Sequence, residues 1–422
     1  MQYMQSPFSW GTRISYAAKN IQEPDAGRAN GLRMTELLTA TAVRSAFRGH
    51  FEKSARIFRS PARVNIIGEH TDYNDGLVMP TNTALHTWLA IAPREDRQLR
   101  MYASRFNESV EVSLDDLRAT PNGGWQEYPK GVLHALQNRG FDQPGADILI
   151  AGDIPLGSGL GSSASLETAT AFAILSCSTQ EIDRRQLAVM CREAENDFVG
   201  VSCGIMDQYV VALCEKDKAM LLDCRTLDYE LVPLIANGKF VIVHSGVAHR
   251  HREGGYNVRK EECRQAAALL AERRPDIRAL RDVDCTDLER ERERLGDRLY
   301  RRARHVVTEI DRVSRARSAL ADEDLESLGS IMTASHASLR DDFEVSCAEV
   351  DSLIEMTLTC DAVYGSRQVG GGFGGCIVSL VDGGQVEVFI RKVRDWFREH
   401  RGADPWCHVL EPCDPVQEVI TE

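Results

Sequence analysis

The chain has 422 residues, 43% hydrophobic and 27% charged, the balance of a soluble globular protein long enough for one large domain or two. A formal charge of −13 argues against nucleic acid as a partner, because binding a polyanion requires a basic face that releases counterions. No run approaches the ~18 consecutive apolar residues of a membrane span, so no membrane partner is expected.

Met1–Trp10 lacks the basic and apolar regions of a secretory signal, and the cytoplasm is the expected location. Residues 1–33 read as a polar extension without a core face. The functional chain is expected to start near Met34, where the helical stretch TELLTATAVRSAF opens with Thr35 as its N-cap and Glu36 just inside. From Ile57 to about Leu117, β-branched and aromatic residues broken by the turn signals Asn74–Gly76 and Pro93–Asp96 predict strands. A helix carrying Lys130–Asn138 follows, then a strand at Asp147–Ala151, a glycine-rich loop, and helices over Ser163–Cys177 and Arg185–Asp197. Short strands surround Met220 and Phe240. Beyond Tyr256 the pattern is helical to about Asp361, with the charged stretch Asp287–Arg304 read as a solvated helix. A last α+β segment ends in a helix near Val386–His400. The composition shift near Pro233–Lys239 places a boundary between an N-terminal domain at 34–235 and a C-terminal domain at 236–422.

Twelve cysteines are thinly spread and none form a C-x-x-C pair, which leaves zinc ribbons and thioredoxin-type motifs without support. Reduced, mostly buried thiols are expected, Cys177 and Cys214 among them.

The run PLGSGLGSSAS at 155–165 lies between a predicted strand and a predicted helix. Gly157, Gly159 and Gly161 let backbone N–H groups approach a ligand, and the helix start adds positive potential. No Lys follows as in a Walker loop, and the H-R-D and D-F-G elements of protein kinases are missing. Spacing alone leaves a phosphate cradle and a serine-capped glycine turn both open. The run VGGGFGGCIVSLV at 369–381 contains G-x-G-x-x-G, but Ile377, Val378 and Val381 predict a strand after it, where a dinucleotide fingerprint needs a helix. A glycine hairpin or a loop abutting the active site remains.

Residues 59–76 mix Arg63, Asn65, Glu69, His70 and Asp72 with apolar neighbours, a donor and acceptor density that suits either sugar hydroxyls or a self-bonded polar loop. Asp207 is bracketed by apolar residues, so if buried it needs a partner, for which Arg63 is the attractive choice. A helix-capping aspartate is the alternative. Glu195, near a helix end, reads from its position as part of a solvated face.

Together these segments resemble the galactokinases of the GHMP kinase superfamily. RVNIIGEHTDYN at 63–74 is similar to their signature, the runs at 155–165 and 370–376 to the second and third superfamily motifs, and GIMDQ at 204–208, SHASLRDDFEVSC at 335–347 and YGSRQ at 364–368 to further family segments, all in order from roughly Thr35 onwards. The resemblance implies an α+β, two-lobed fold with the active site in the cleft between an N-terminal and a C-terminal α/β lobe. It implies ATP and Mg²⁺ as cofactors and galactose as the sugar, phosphorylated at C1, by a monomer or weak homo-oligomer. Asp207 would be the catalytic base with Arg63 supporting it. Glu69, His70, Asp72, Gly204 and Tyr256 would hold the sugar. Trp125, Gly157, Gly159, Leu160, Gly161, Ser162, Ser163 and Ala164 would hold the nucleotide and its phosphates, and Ser163 and Glu195 the metal. Ala62 stands where the family has glycine, Gln368–Val369 where it has Met-Thr, and Pro129 is unusual in the tryptophan motif. A kinase for N-acetylgalactosamine or arabinose, or a non-catalytic sugar and ATP sensor, are the alternatives.

Overall fold

A computed structural model describes residues 38–420 apart from 121–122, 142, 179, 181 and 248–251. The expected extension at 1–33 and the expected cap Thr35 lie outside the described residues. The first described helix, α1 (Ala40–Phe51), is capped by Thr39, whose hydroxyl accepts from the N–H of Ala42 at 3.2 Å.

The strand-rich stretch forms β1 (Arg56–Ile67), β2 (Leu77–Pro93), β3 (Gln98–Ala103) and β4 (Glu108–Ser113), followed by α2 (Glu127–Asn138) and β5 (Ala146–Gly152). Next come α3 (Ser162–Ser176), α4 (Arg184–Glu193), α5 (Met206–Leu213), β6 (Lys218–Asp223), β7 (Tyr229–Pro233) and β8 (Gly238–His244). The second half holds α6 (Arg252–Ala271), α7 (Cys285–Arg290), α8 (Arg292–Ala321), α9 (Leu325–Asp341) and α10 (Ala348–Leu358). It closes with β9 (Val363–Gln368), β10 (Cys376–Asp382), α11 (Val386–Arg401), β11 (Cys407–Val409) and β12 (Gln417–Glu418).

Among the described residues the strands make two sheets. Eight strands follow the order β12-β1-β2-β5-β3-β4, with β6 on β2 and β7 on β6, and only the β3–β5 pair is parallel. Four antiparallel strands follow β11-β8-β10-β9, and the chain passes between the sheets from Pro233 to Gly238. Helices α2 to α5 share one apolar core with the larger sheet; α10 and α11 share another with the smaller.

Helix α3 is the helix under the first glycine loop. Small and apolar residues surround it on all sides, from Ala164 and Ser165 to Ala169, Ala171 and Ala173, so it can be buried all round and press against β1. Ser165 Oγ donates to Ser60 O at 2.9 Å, closing that contact.

Two expectations need correction. The helix expected over Arg185–Asp197 is α-helical only to Glu193; a π-helical turn, Ala194–Val199, then ends on Gly200 in the left-handed region, and it turns Glu195 inward to 5% exposure. The stretch Asp287–Arg304 is not a solvated helix throughout: α7 ends at Arg290, α8 kinks at Gly296, and Arg302 is only 2% exposed. All twelve cysteines are free, but Cys177 is half-buried and Cys285 exposed.

Candidate active site

Strand β1 carries Arg63, and the first turn of α5 carries Asp207. The guanidinium meets the carboxylate twice, Nε to Oδ1 at 2.7 Å and Nη2 to Oδ2 at 2.5 Å, a bidentate geometry that fixes both groups. The remaining nitrogen, Nη1, donates to the carbonyl of Gly159, and the backbone N–H of Arg63 donates to Leu160 O at 3.0 Å. A Cβ on Gly161, which sits at φ +75°, would lie 3.0 Å from Arg63 Cγ. The glycine loop therefore wraps the arginine that holds the aspartate. Gly157 and Gly159 are also left-handed, and α3 begins at Ser162 with no side-chain cap, leaving its first N–H groups available to a ligand. The second glycine run lies against the first: a Cβ on Gly370 would come within 3.0 Å of Gly159 Cα and O. This run is a loop between β9 and β10, as its missing helix implied.

Between β1 and β2 the chain makes a strained turn. Gly68 sits at φ +100° and His70 at φ +64°. Glu69 is buried, with Oε1 accepting from Gly370 N at 2.9 Å and lying 3.3 Å from Arg367 Nη2. Burial pushes its carboxyl upward, opposed by Arg367 and Arg63. His70 Nδ1 pairs with Tyr73 Oη at 2.9 Å while Nε2 is buried with no partner among the described residues, and burial drives its pKa well below the ordinary value. The Tyr256 ring lies 5.5 Å from His70 and 5.3 Å from Tyr73. Asp72 is half-buried; burial and then the charge of Asp207 push its pKa up to about 7. Gly204 faces it so closely that a Cβ would lie 1.8 Å from Asp72 Oδ2. The loop does bond to itself, as the alternative reading held, through Asn74 Nδ2 to His70 O at 2.9 Å and Thr71 Oγ1 to Leu77 O at 2.7 Å.

Glu195 Oε2 accepts from Gln208 Nε2 at 2.7 Å and from the Cys203 thiol at 3.1 Å, and Ser163 is among the groups that oppose the upward push on its carboxyl. Gln208 Nε2 also reaches Glu167 Oε2 at 3.0 Å. Burial raises both carboxyls, and Glu167 Oε1 has no hydrogen-bond partner among the described residues, so two buried acids face each other across Gln208. No group of three or more His, Cys, Asp or Glu side chains among the described residues is placed to hold a metal. One carboxylate and one hydroxyl are still the donor set that fits Mg²⁺ bound mostly by phosphates and water.

Trp125 stands apart. Its Nε1 donates to Glu108 Oε2 at 3.0 Å, and no hydrogen bond or ring contact among the described residues joins it to the glycine loop. A cavity of about 560 Å³ opens beside Tyr73, Asn74 and Lys260, and its lining includes neither Arg63 nor Asp207. Glu167, Gln208, Arg367, His305 and Glu309 are functional candidates in the structure that the sequence expectations do not include. Gln208 and Arg367 stand inside the family segments GIMDQ and YGSRQ, a signal that could have drawn attention to them.

The description "Galactokinase galactose-binding signature" matches residues 45–93, "GHMP kinases N terminal domain" residues 127–215 and "GHMP kinases C terminal" residues 316–399. A galactokinase from Chloroflexus aurantiacus is 41% identical over 87% of this chain and 94% of its own length. The chain belongs to the galactokinase family. A galactokinase from Bacillus subtilis is 40% identical over 88% of this chain and 96% of its own. The crystal structure of Lactococcus lactis galactokinase complexed with galactose superposes with a TM-score of 0.86 at 34% identity, covering 90% of this chain and 99% of that one. A Methanococcus jannaschii mevalonate kinase, at 16% identity and a TM-score of 0.62 over 86% of this chain and 99% of its own, shares the fold. Family and site geometry thus meet on the segments that hold Arg63, the strained turn and the glycine loop. No described helix is long and apolar enough to cross a membrane.

Proposed function

We propose that this chain transfers the γ-phosphoryl group of MgATP to the C1 hydroxyl of galactose, giving galactose 1-phosphate and ADP. The observation that carries this reading is the bidentate Arg63–Asp207 pair enclosed by the first glycine loop. A sugar hydroxyl is a poor nucleophile at neutral pH, and Asp207 accepts its proton as oxygen attacks phosphorus. Arg63 holds Asp207 aimed through its two hydrogen bonds, and offers positive charge to the moving phosphoryl group. Glu69, His70 and Asp72 contact the sugar hydroxyls, with Gly204 and Tyr256 walling the same pocket. The loop Gly157–Ala164, with Ser162 and Ser163, cradles the phosphates through backbone N–H groups. Ser163 and Glu195 would hold Mg²⁺, which when bound neutralises phosphate charge. Trp125 would reach the nucleotide on the outer side.

The sugar and phosphate loops belong to a domain at 34–235 and the second glycine run to one at 236–422, with the active site between them. Twelve free thiols fit a reducing, cytoplasmic setting.

The test is ADP release from MgATP across galactose, glucose, N-acetylgalactosamine, arabinose and a no-sugar control. Turnover is expected to be strongest with galactose, and Asp207→Ala is expected to lower kcat by about 10²–10⁴, the contribution of a positioned general base. Near-wild-type kcat in that variant removes the base assignment. Turnover only with another sugar moves the substrate, and galactose binding without turnover makes the chain a sensor.

A further inference from the structure

The turn at 68–72 holds a glycine and a buried histidine in left-handed backbone, and a histidine stays there only where its surroundings fix it. The side chain of Glu69 is gripped by Gly370 and Arg367, but the backbone on both sides of it is gripped by one helix, α8. Glu309 Oε1 accepts the N–H of Gly68 at 3.0 Å and the Ser335 hydroxyl at 2.7 Å, while Arg312 Nη1 donates to Glu309 Oε2 at 2.8 Å. One turn earlier, His305 Nε2 lies 3.1 Å from the carbonyl of Glu69, and its Nδ1 lies 3.0 Å from Ser338 Oγ on α9. The Phe343 ring packs against both histidines, 4.5 Å from His305 and 4.7 Å from His70.

The proton positions follow from these partners. A carbonyl can only accept, so His305 Nε2 carries a hydrogen. Burial lowers the pKa of His305 to about 4, so the ring is neutral at physiological pH and Nδ1 is its bare nitrogen, facing a Ser338 Oγ that itself donates to Asp342 Oδ2 at 3.1 Å. One tautomer is thereby selected. Neither His305 nor Glu309 is exposed to solvent at all, so neither touches a ligand. A Cβ on Gly68 would also lie 2.9 Å from Val313 Cγ2, so the turn rests flat on the helix.

We propose that His305 is a positioning residue for sugar binding: its Nε2–H, together with the Glu309 carboxylate, fixes the Glu69–His70 and Ile67–Gly68 peptide groups and so holds the left-handed turn in the form that presents Glu69, His70 and Asp72. This rests on the reading of that turn as the sugar-contacting segment. Losing the bond lets the turn relax, and the sugar must then reorder it on binding. The glycine loop at 157–161 is tied to Arg63 and packed on Gly370, not on α8, so nucleotide affinity is spared.

His305→Asn and His305→Gln separate positioning from packing. Both bury an amide, but only the glutamine nitrogen reaches the place of Nε2. Galactose and ATP binding to the full chain are measured separately by calorimetry, with Asp72→Asn alongside and thermal midpoints as a check on folding. His305→Asn is expected to weaken galactose binding roughly fivefold to tenfold, the loss of one buried hydrogen bond. ATP binding stays within about twofold, and His305→Gln returns galactose binding to about twofold of the parent chain. Equal behaviour of the two variants, or equal weakening of sugar and nucleotide, overturns the proposal. If the His305 variants do not fold, Glu309→Gln, which loosens the hold on the Gly68 N–H, takes their place and is expected to weaken galactose but not ATP binding; unchanged galactose affinity there overturns the proposal too. Weakening by Asp72→Asn but not by the His305 variants sinks only the positioning role. Galactose affinity untouched by Asp72→Asn removes the sugar reading, and this proposal with it.

Discussion

Asp72 shows how a single residue sets function against stability. Its folded pKa of about 7 lies above the 3.8 of a free aspartate, because burial and the neighbouring Asp207 disfavour its charge. A carboxyl raised on folding contributes stability that is complete below about pH 4 and is lost as pH climbs to 7. Asp72→Asn removes that loss. The group is half-buried and water screens part of the effect, so the variant is expected to gain about 1 kcal/mol over the parent at pH 8. Urea denaturation at pH 8 and pH 5.5 should show the gain shrinking at the lower pH, and an equal gain at both would contradict the assignment. The same variant is expected to raise the KM for galactose by about tenfold or more, since a carboxyl oxygen that accepts from a sugar hydroxyl is replaced by an amide nitrogen that cannot. At this scale the sequence was informative where chemistry forces a partner. An aspartate among apolar residues needs a cation, and Arg63, itself buried, supplies it to a half-buried Asp207. Glu195, near a helix end, reads as part of a solvated face, and the π turn that brings it in has no signal in residue spacing.

Helix α8 shows what periodicity offers and where a composition reading misleads. Its charged letters predict a solvated face, yet Leu295, Leu299, Arg302, Val306, Glu309, Val313, Ala316 and Leu320 recur three and four apart and are all buried. Arg302 and Glu309 occupy core positions on that stripe, so the pattern itself marked them as charges needing partners. The partners are not in the pattern, because they come from other elements. Arg302 Nε bonds Glu262 on α6 at 2.9 Å, and its other nitrogens reach Asp342 O and Glu344 beyond α9. Arg302→Ala leaves Glu262 buried with Arg259 as its main cation and is expected to cost about 2–4 kcal/mol by urea denaturation. Arg298→Ala, four residues earlier on an exposed side chain, is expected to stay within about 0.5 kcal/mol. Equal costs for the two would mean that α8 is the solvated helix after all. Strands and glycine loops were legible because alternation and turn residues are local. The grip of α8 and β9 on Glu69 was not, since it joins residues more than 230 and nearly 300 positions apart.

At the scale of the whole molecule, the last residues join the two sheets. After β11 pairs with β8 in the smaller sheet, Leu410 N donates to Phe240 O at 2.8 Å, still on that sheet. The chain then crosses to the larger one: Glu411 O accepts from Ala84 N at 2.9 Å, and Val416, fully buried, donates its N–H to Val211 O at 3.0 Å. Strand β12 covers the outer edge of β1, and Glu418 takes both ends of the Arg56 guanidinium at 2.7 and 2.6 Å. Removing residues 411–422 uncovers that edge, empties the Val416 site and breaks the only strand that returns to the larger sheet from the second half among the described residues. The loss is expected to be on the order of 3 kcal/mol, from one buried valine and several hydrogen bonds. Calorimetry of the full chain should then give one transition, because the tail makes the sheets unfold together. The shortened chain should melt earlier and with a broadened or divided transition. Ile420→Ser, at a side chain 86% exposed, should change neither. A shortened chain that melts as one sharp transition at the parental temperature would show that the core between the sheets, where Ile66 and Met79 meet Ile242 and Val378, couples them without the tail.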